Sequence, residues 1–202
     1  MKTGPRYKIA KRLGASVFEK TQTQKFAIAM ERGARPRSRP RGASEYGKQL
    51  LEKQKVRITY GIPERQFRKY VALALARRGA NPSETLHRLL ELRLDNVVYR
   101  LGLAKTRRGA RQMVSHGHVT VDGRKSTTPS QMVRIGDRIA VREGSRTSAL
   151  FAGFAERFAE TPLPSWLSWN PNEMAGAVSE FPTMESASPA GDIGMVFSFY
   201  SR

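Results

Sequence analysis

Arg93-Leu94-Asp95-Asn96-Val97-Val98-Tyr99-Arg100-Leu101-Gly102 is the stretch on which the fold turns. Leu94, Val97, Val98 and Leu101 stand at i, i+3, i+4 and i+7, which makes one apolar stripe along an α-helix and leaves Arg93 and Arg100 pointing elsewhere. Gly102 closes that helix. Thr106 is placed to cap a second, shorter one, in which Ala110, Met113 and Val114 face inward while Arg107, Arg108, Arg111 and Gln112 look outward. His116-Gly117 ends it. Val119-Thr120-Val121 then alternates up to Asp122-Gly123, a pair suited to a tight hairpin because both residues tolerate positive φ. A further turn at Gly136-Asp137 leads into Ile139-Ala140-Val141, where Ile139 and Val141 share a face as Val119 and Val121 do. The expected unit is helix, helix and a small twisted sheet, with a basic outer platform.

Upstream the pattern is helical throughout. From Ser44, Tyr46, Leu50, Lys53-Gln54 and Arg57 fall on recurring turns, and the stretch stops before Gly61. Pro63 opens the next helix, since a first-turn residue needs no amide proton. There Phe67, Tyr70, Val71, Ala74 and Leu75 form the inner stripe, and Arg77-Arg78-Gly79 ends it. Ser83 in Asn81-Pro82-Ser83-Glu84 is the expected N-cap of a third helix carrying Leu86, Leu89 and Leu90.

The charge names the kind of partner. Lys and Arg number 36 against 17 Asp and Glu in 202 residues, a net charge of +19, so a polyanion is expected. The charge is also polarised: residues 1–149 hold 34 basic and 11 acidic side chains, residues 150–202 only 2 and 6. The polyanion contacts therefore belong to the first three quarters, and the last quarter suits a protein neighbour. Residues 32–42 carry five arginines, two prolines, two glycines and almost nothing to bury. Five like charges repel each other, and a phosphate backbone relieves that repulsion, so nucleic acid is favoured over a merely solvated loop.

Other classes fit poorly. No run of 18 apolar residues spans a membrane, no apolar core follows the basic start as in a signal peptide, and Gly4-Pro5 and the prolines at 36 and 40 break any transit-type amphipathic helix. Cysteine is absent, which removes disulfides, thiolate catalysis and Cys-rich zinc sites and suits a cytoplasmic location. His116, His118 and Asp122 make a poor metal set, lying around a helix end and a strand whose positions alternate faces. Glu91 and Asp95, one helical turn apart, resemble paired acid–base carboxylates, but Arg88 three residues before Glu91 makes an intrahelical ion pair the simpler reading. No Gly-x-x-x-x-Gly-Lys loop and no nucleophile elbow is present.

The opening stretch, continued by Arg107-Arg108-Gly109-Ala110-Arg111-Gln112-Met113-Val114-Ser115-His116-Gly117-His118, resembles the S-four RNA-binding domain. That domain also occurs in pseudouridine synthases and tyrosyl-tRNA synthetases, so the flanks decide. Gly4-Pro5-Arg6-Tyr7-Lys8 with Arg12-Leu13-Gly14, Ser44 through Lys55, and Tyr60-Gly61-Ile62-Pro63-Glu64-Arg65-Gln66-Phe67-Arg68-Lys69 are similar to the universal S-four family of bacterial small-subunit ribosomal proteins. So are Pro164-Ser165-Trp166-Leu167 and Phe199-Tyr200-Ser201-Arg202.

The resemblance implies an α+β chain: a basic N-terminal extension over 1–44, a helical module over 45–92 completed by 150–202, and the S-four-type domain over 93–149. It implies a non-enzymatic constituent of the small ribosomal subunit that binds rRNA as a primary binder, nucleates the subunit body, lies near incoming mRNA, and contributes to translational accuracy with ribosomal protein five. No cofactor, membrane or small-molecule substrate is expected. The expected rRNA-binding side chains are Arg6, Lys8, Lys11, Arg12, Lys48, Lys53, Lys55, Arg57, Arg65, Arg68, Lys69, Arg93, Arg100, Lys105, Thr106, Arg107, Arg108, Arg111, Gln112, His116, His118, Arg124 and Lys125. Arg35, Arg37, Arg39 and Arg41 are expected beside mRNA. Some relatives place a zinc-binding cysteine cluster before residue 44; this chain has none, so no metal is expected. Trp166, Trp169 and the run Met195–Tyr200 are open to two readings, completing the helical module or facing a neighbouring protein. Two other functions use the same domain: an RNA-modifying enzyme, which needs a separate catalytic fold, and a free-standing factor that recognises stalled ribosomal particles.

Overall fold

The structure is a computed structural model that describes residues 4–33, 44–151 and 163–201. Contacts divide it into two units: the described residues up to Leu86 with those from Pro189 onward, and His87–Ser188.

The first unit is helical. α1 (Arg6–Leu13) buries Ala10 and Leu13 and leaves Lys8, Lys11 and Arg12 exposed. Two short 3-10 turns separate it from α2 (Gln24–Gly33), whose Phe26 is buried and meets Tyr7 at 5.8 Å between ring centroids. Within the basic N-terminal stretch, residues 6–13 and 24–33 are thus helical. α3 (Glu45–Thr59) is capped by Ser44, whose hydroxyl oxygen accepts from the Gly47 amide. α4 (Glu64–Ala76) follows Pro63 and turns Phe67, Tyr70, Val71 and Ala74 inward. Leu75 departs from its expected place on that stripe and is 54% exposed. α5 (Pro82–Glu91) is where the division between the units falls, and its cap is Asn81 rather than Ser83: the Asn81 side-chain oxygen accepts from the Ser83 amide.

The last helix closes the first unit. α8 (Ile193–Tyr200) lies along α3, tied by the Asp192 amide donating to Glu52 at 2.8 Å and by Tyr46 against Phe199. Lys53 stands 4.2 Å from the centroid of the Phe199 ring. Tyr200 donates its hydroxyl to Glu64 at 2.6 Å, and Lys53 donates to the same carboxylate at 2.9 Å.

The second unit opens with α6 (Leu94–Arg100) and α7 (Arg107–Ser115). Leu94, Val97, Val98 and Leu101 are all fully buried, and each apolar side chain taken out of water contributes about 1.5–3 kcal/mol. Thr106 caps α7 by accepting from the Gly109 amide, and Ala110, Met113 and Val114 face the core. The strands are β1 (Val119–Val121), β2 (Arg124–Ser126), β3 (Arg138–Val141), β4 (Leu167–Asn170) and β5 (Ala175–Val178). They form one antiparallel sheet in the order β2-β1-β3-β5-β4. Asp122 and Gly123, at φ 49 and 75, make the expected positive-φ turn, and Val119 and Val121 pair with Val141 and Ile139.

The sheet is larger than expected, and this corrects the domain boundaries. Residues 150–202 do not all join the helical module: β4 and β5 extend the sheet, and Trp166, Leu167 and Val178 sit in its core. Only the part from Pro189 belongs to the first unit. Gly176 explains the close fit, since a Cβ there would come within 2.7 Å of Leu101 Cδ2 and 2.6 Å of the Ser168 carbonyl oxygen.

His87 is buried within the second unit, and burial pushes its pKa below 6.5 against the opposing Glu91 carboxylate. A group whose folded pKa is lowered stabilises the fold above its unfolded value and loses that contribution as pH falls below it. The urea midpoint of this unit is therefore expected to decline as pH drops from about 6.5. A His87→Leu variant should show a flatter profile, and an equal decline in both proteins would assign the effect to other groups.

Candidate nucleic-acid interface

α7 sets the geometry on the second unit. Its inward stripe fixes which residues look out: Arg108 and Gln112 are exposed, as are Lys105 before the helix and His116 after it. Arg124 and Lys125, on the strand after the hairpin turn, are exposed too. The Lys125 stem lies across Gly117, where a Cβ would overlap its Cε. Arg142, which the sequence reading passed over, is exposed after β3, and its amide donates to the His118 carbonyl. Its only sequence signal was a basic residue directly after a predicted strand. His118 is half-buried with Nδ1 3.0 Å from the Ser145 hydroxyl, and its ring lies 6.1 Å from that of His116. Burial, then the charges of His116, Arg142 and Lys125, push its pKa down from 6.5.

Several expected contacts are internal instead. Arg93 is fully buried, donating through Nε and Nη2 to the two oxygens of Asp95 at 3.0 and 2.7 Å, so it is removed from the RNA-facing set. Asp95 is accordingly a structural residue. Arg100 is mostly covered and makes a two-pronged pair with the buried Glu91 at 2.9 and 2.8 Å, while the Asn96 amide donates to the same carboxylate. Glu91 and Asp95 do not share one continuous helix, because the chain breaks between α5 and α6; Glu91 is held from α6, and Arg88 stands 5.3 Å from the Phe181 ring. Arg107 is half-buried, donating to Asn96 and lying 4.3 Å from the Tyr99 ring centroid, and Arg111 reaches toward Asp95 at 3.9 Å. Thr106 acts as the helix cap.

On the first unit, considered separately, Arg65, Arg68 and Lys69 are exposed on one face of α4, spaced as i, i+3 and i+4. Lys8, Lys11 and Arg12 are exposed on α1 with Arg6 partly covered. Lys48 is exposed near Glu45, Lys55 lies near Glu52, and Arg57 is half-buried 3.4 Å from Glu64. Lys53 is buried beneath α8 with its ammonium on Glu64, so it too leaves the RNA-facing set. Arg35, Arg37, Arg39 and Arg41 lie outside the described residues. Among the described residues no three His, Asp or Glu side chains are grouped to hold a metal ion. Nor is any helix long and apolar enough to cross a membrane.

This arrangement suits phosphate binding. Glu91 and Asp95 are turned inward against Arg100 and Arg93, while Lys105, Arg108, Arg124, Lys125 and Arg142 present positive charge outward, with Asp122 and Glu143 the exposed carboxylates beside Arg124 and Arg142.

Comparison with known sequences agrees. Residues 1–91 match the model of the ribosomal protein S4/S9 N-terminal domain, and residues 92–139 match the S4 domain. The chain is 46% identical over 202 residues to the small ribosomal subunit protein uS4 of Roseiflexus castenholzii, with 98% of each chain covered. It is 42% identical to the uS4 proteins of Akkermansia muciniphila, over 206 residues, and Burkholderia pseudomallei, over 205, with at least 98% of every chain covered. End-to-end similarity of this kind, with the two family models laid side by side along residues 1–139, means that the chain belongs to the uS4 family of small ribosomal subunit proteins.

Proposed function

We propose that the chain is a structural constituent of the small ribosomal subunit that binds its rRNA directly, through the S4 domain and through the cations of the helical unit. It is a primary binder that nucleates assembly of the subunit body. It lies near incoming mRNA, with Arg35, Arg37, Arg39 and Arg41 alongside, and contributes to translational accuracy together with ribosomal protein five. It works in the ribosome, in the cytoplasm, as a binding protein and not as a catalyst.

The observation that carries this reading is the segregation of charge on the second unit. Glu91 and Asp95 neutralise buried or mostly covered arginines, whereas Lys105, Arg108 and Lys125 are exposed and form no ion pair among the described residues. A surface with unmatched cations and inward carboxylates attracts a phosphate backbone and reads its shape. Family membership supports the finer roles, and the five arginines of residues 32–42 support contact with a single strand.

The test is a filter-binding titration against deproteinised small-subunit rRNA at about 200 mM salt, where non-specific attraction is weakened, with large-subunit rRNA as competitor. Binding that the competitor does not displace is the expected result. Equal affinity for both RNAs would reduce the chain to a general RNA-binding factor.

A further inference from the structure

A cavity of about 460 Å³ opens beside α7, within the size range of sites that take small organic groups. Buried Leu103 and Met113 give it an apolar floor, and exposed Leu150 forms one wall. Gln112, His116 and Lys105, all exposed, also line it. No acidic residue contributes to its lining among the described residues.

Two further observations point to a built site. Gly109 occupies the first turn of α7, where most residues form helix better. A Cβ there would stand 3.3 Å from Thr106 Oγ1 and 3.7 Å from Ala104 Cβ, both in the lining, so a side chain at this position would crowd the Thr106 cap at the cavity wall. His118 completes the wall, its Nδ1 held 3.0 Å from the Ser145 hydroxyl.

A phosphate has no use for an apolar floor, and an aliphatic side chain has no use for an amide, an imidazole and an ammonium around it. A nucleotide matches both, having a flat apolar face, a polar edge and an anionic backbone. We propose that this cavity receives one unstacked nucleobase of the bound RNA. The base lies against Met113 and Leu150, its edge meets the Gln112 amide, and its phosphate faces Lys105. The inference rests on the RNA-binding reading above and adds a base contact to a surface otherwise suited to phosphates.

The full chain carrying Leu150→Ala, Gln112→Ala or Lys105→Ala is titrated against small-subunit rRNA at several salt concentrations. Leu150 and Gln112 are exposed, so unchanged melting temperatures are expected. Each of these two variants should bind about tenfold more weakly, with the slope of log affinity against log salt unchanged, because stacking and edge contacts release no counterions. Lys105→Ala should lower that slope by about one. Ala149→Trp, which fills the cavity while every other lining group stays, should weaken binding to a similar degree. Unchanged affinity in Leu150→Ala and Ala149→Trp, with the wild type still selective for small-subunit rRNA, overturns the base site alone. A slope that falls in Leu150→Ala as it does in Lys105→Ala also overturns it. A wild-type chain with no preference between the two rRNAs removes the RNA reading and the occupant together.

Discussion

Replacing Arg93 with methionine is expected to destabilise the second unit by about 3–5 kcal/mol, because it leaves the carboxylate of Asp95 buried without its two-pronged partner. Arg93 has no exposed surface, and its guanidinium meets both Asp95 oxygens. Arg111 Nε stands 3.9 Å from the same carboxylate, a longer approach than either from Arg93. The backbone around the pair is equally fixed, since the Leu94 and Asp95 amides donate to the Gln131 and Pro129 carbonyls. Urea unfolding followed by circular dichroism reads the loss. The double variant Arg93→Met/Asp95→Leu should recover most of it, because a buried ion pair and an apolar pair of similar size differ little in net stability. A single variant within about 1 kcal/mol of wild type would show that water or Arg111 compensates the carboxylate.

The largest effect on binding should come from salt. If roughly six to ten phosphates are engaged, affinity for rRNA falls on the order of a thousandfold or more between about 50 and 200 mM salt. Neutralising Arg108, Arg124 and Lys125 together removes three exposed cations that make no ion pair among the described residues, and should reduce the salt slope by about three. The melting temperature should hardly move. A combination of Arg107, Arg108 and Arg111 would read differently, since Arg107 holds Asn96 and Arg111 faces Asp95, so that stability and affinity would fall together. Filter binding at a series of salt concentrations checks both statements, and a flat response in the wild type would remove phosphate contact as the source of affinity.

What the sequence made legible was local. The stripe of Leu94, Val97, Val98 and Leu101, the Thr106 cap and the Asp122-Gly123 turn each depend on neighbours within one or two turns, and the structure has all three. What it hid was long-range. Ala175-Gly176-Ala177-Val178 has little β propensity and becomes a strand because β3 and β4 flank it and Leu101 needs the space above Gly176. Lys53 looked like any helix-surface lysine until residues far along the chain covered it. Arg93 and Arg100 are expected at RNA from their charge and from the family resemblance. Asp95 lies two positions after Arg93 in the first turn of α6, and Glu91 nine positions before Arg100 across the break between α5 and α6, both outside the i, i+4 rule that finds ion pairs on a continuous helix. Arg108, Lys105 and Lys125, with no acidic group in reach, are the members of the same expected set that the structure leaves exposed.

The strap formed by α8 across α3 also bears on how the chain matures during synthesis. The second unit is one contiguous stretch, His87–Ser188. The first unit is begun earlier yet lacks the helix that carries Phe199 and Tyr200 until a dozen more residues are added, a delay of about a second at ordinary elongation rates. Until that helix is made, Lys53 and Glu64 await their cover, so the first unit, begun first, is among the last parts of the described chain to be completed.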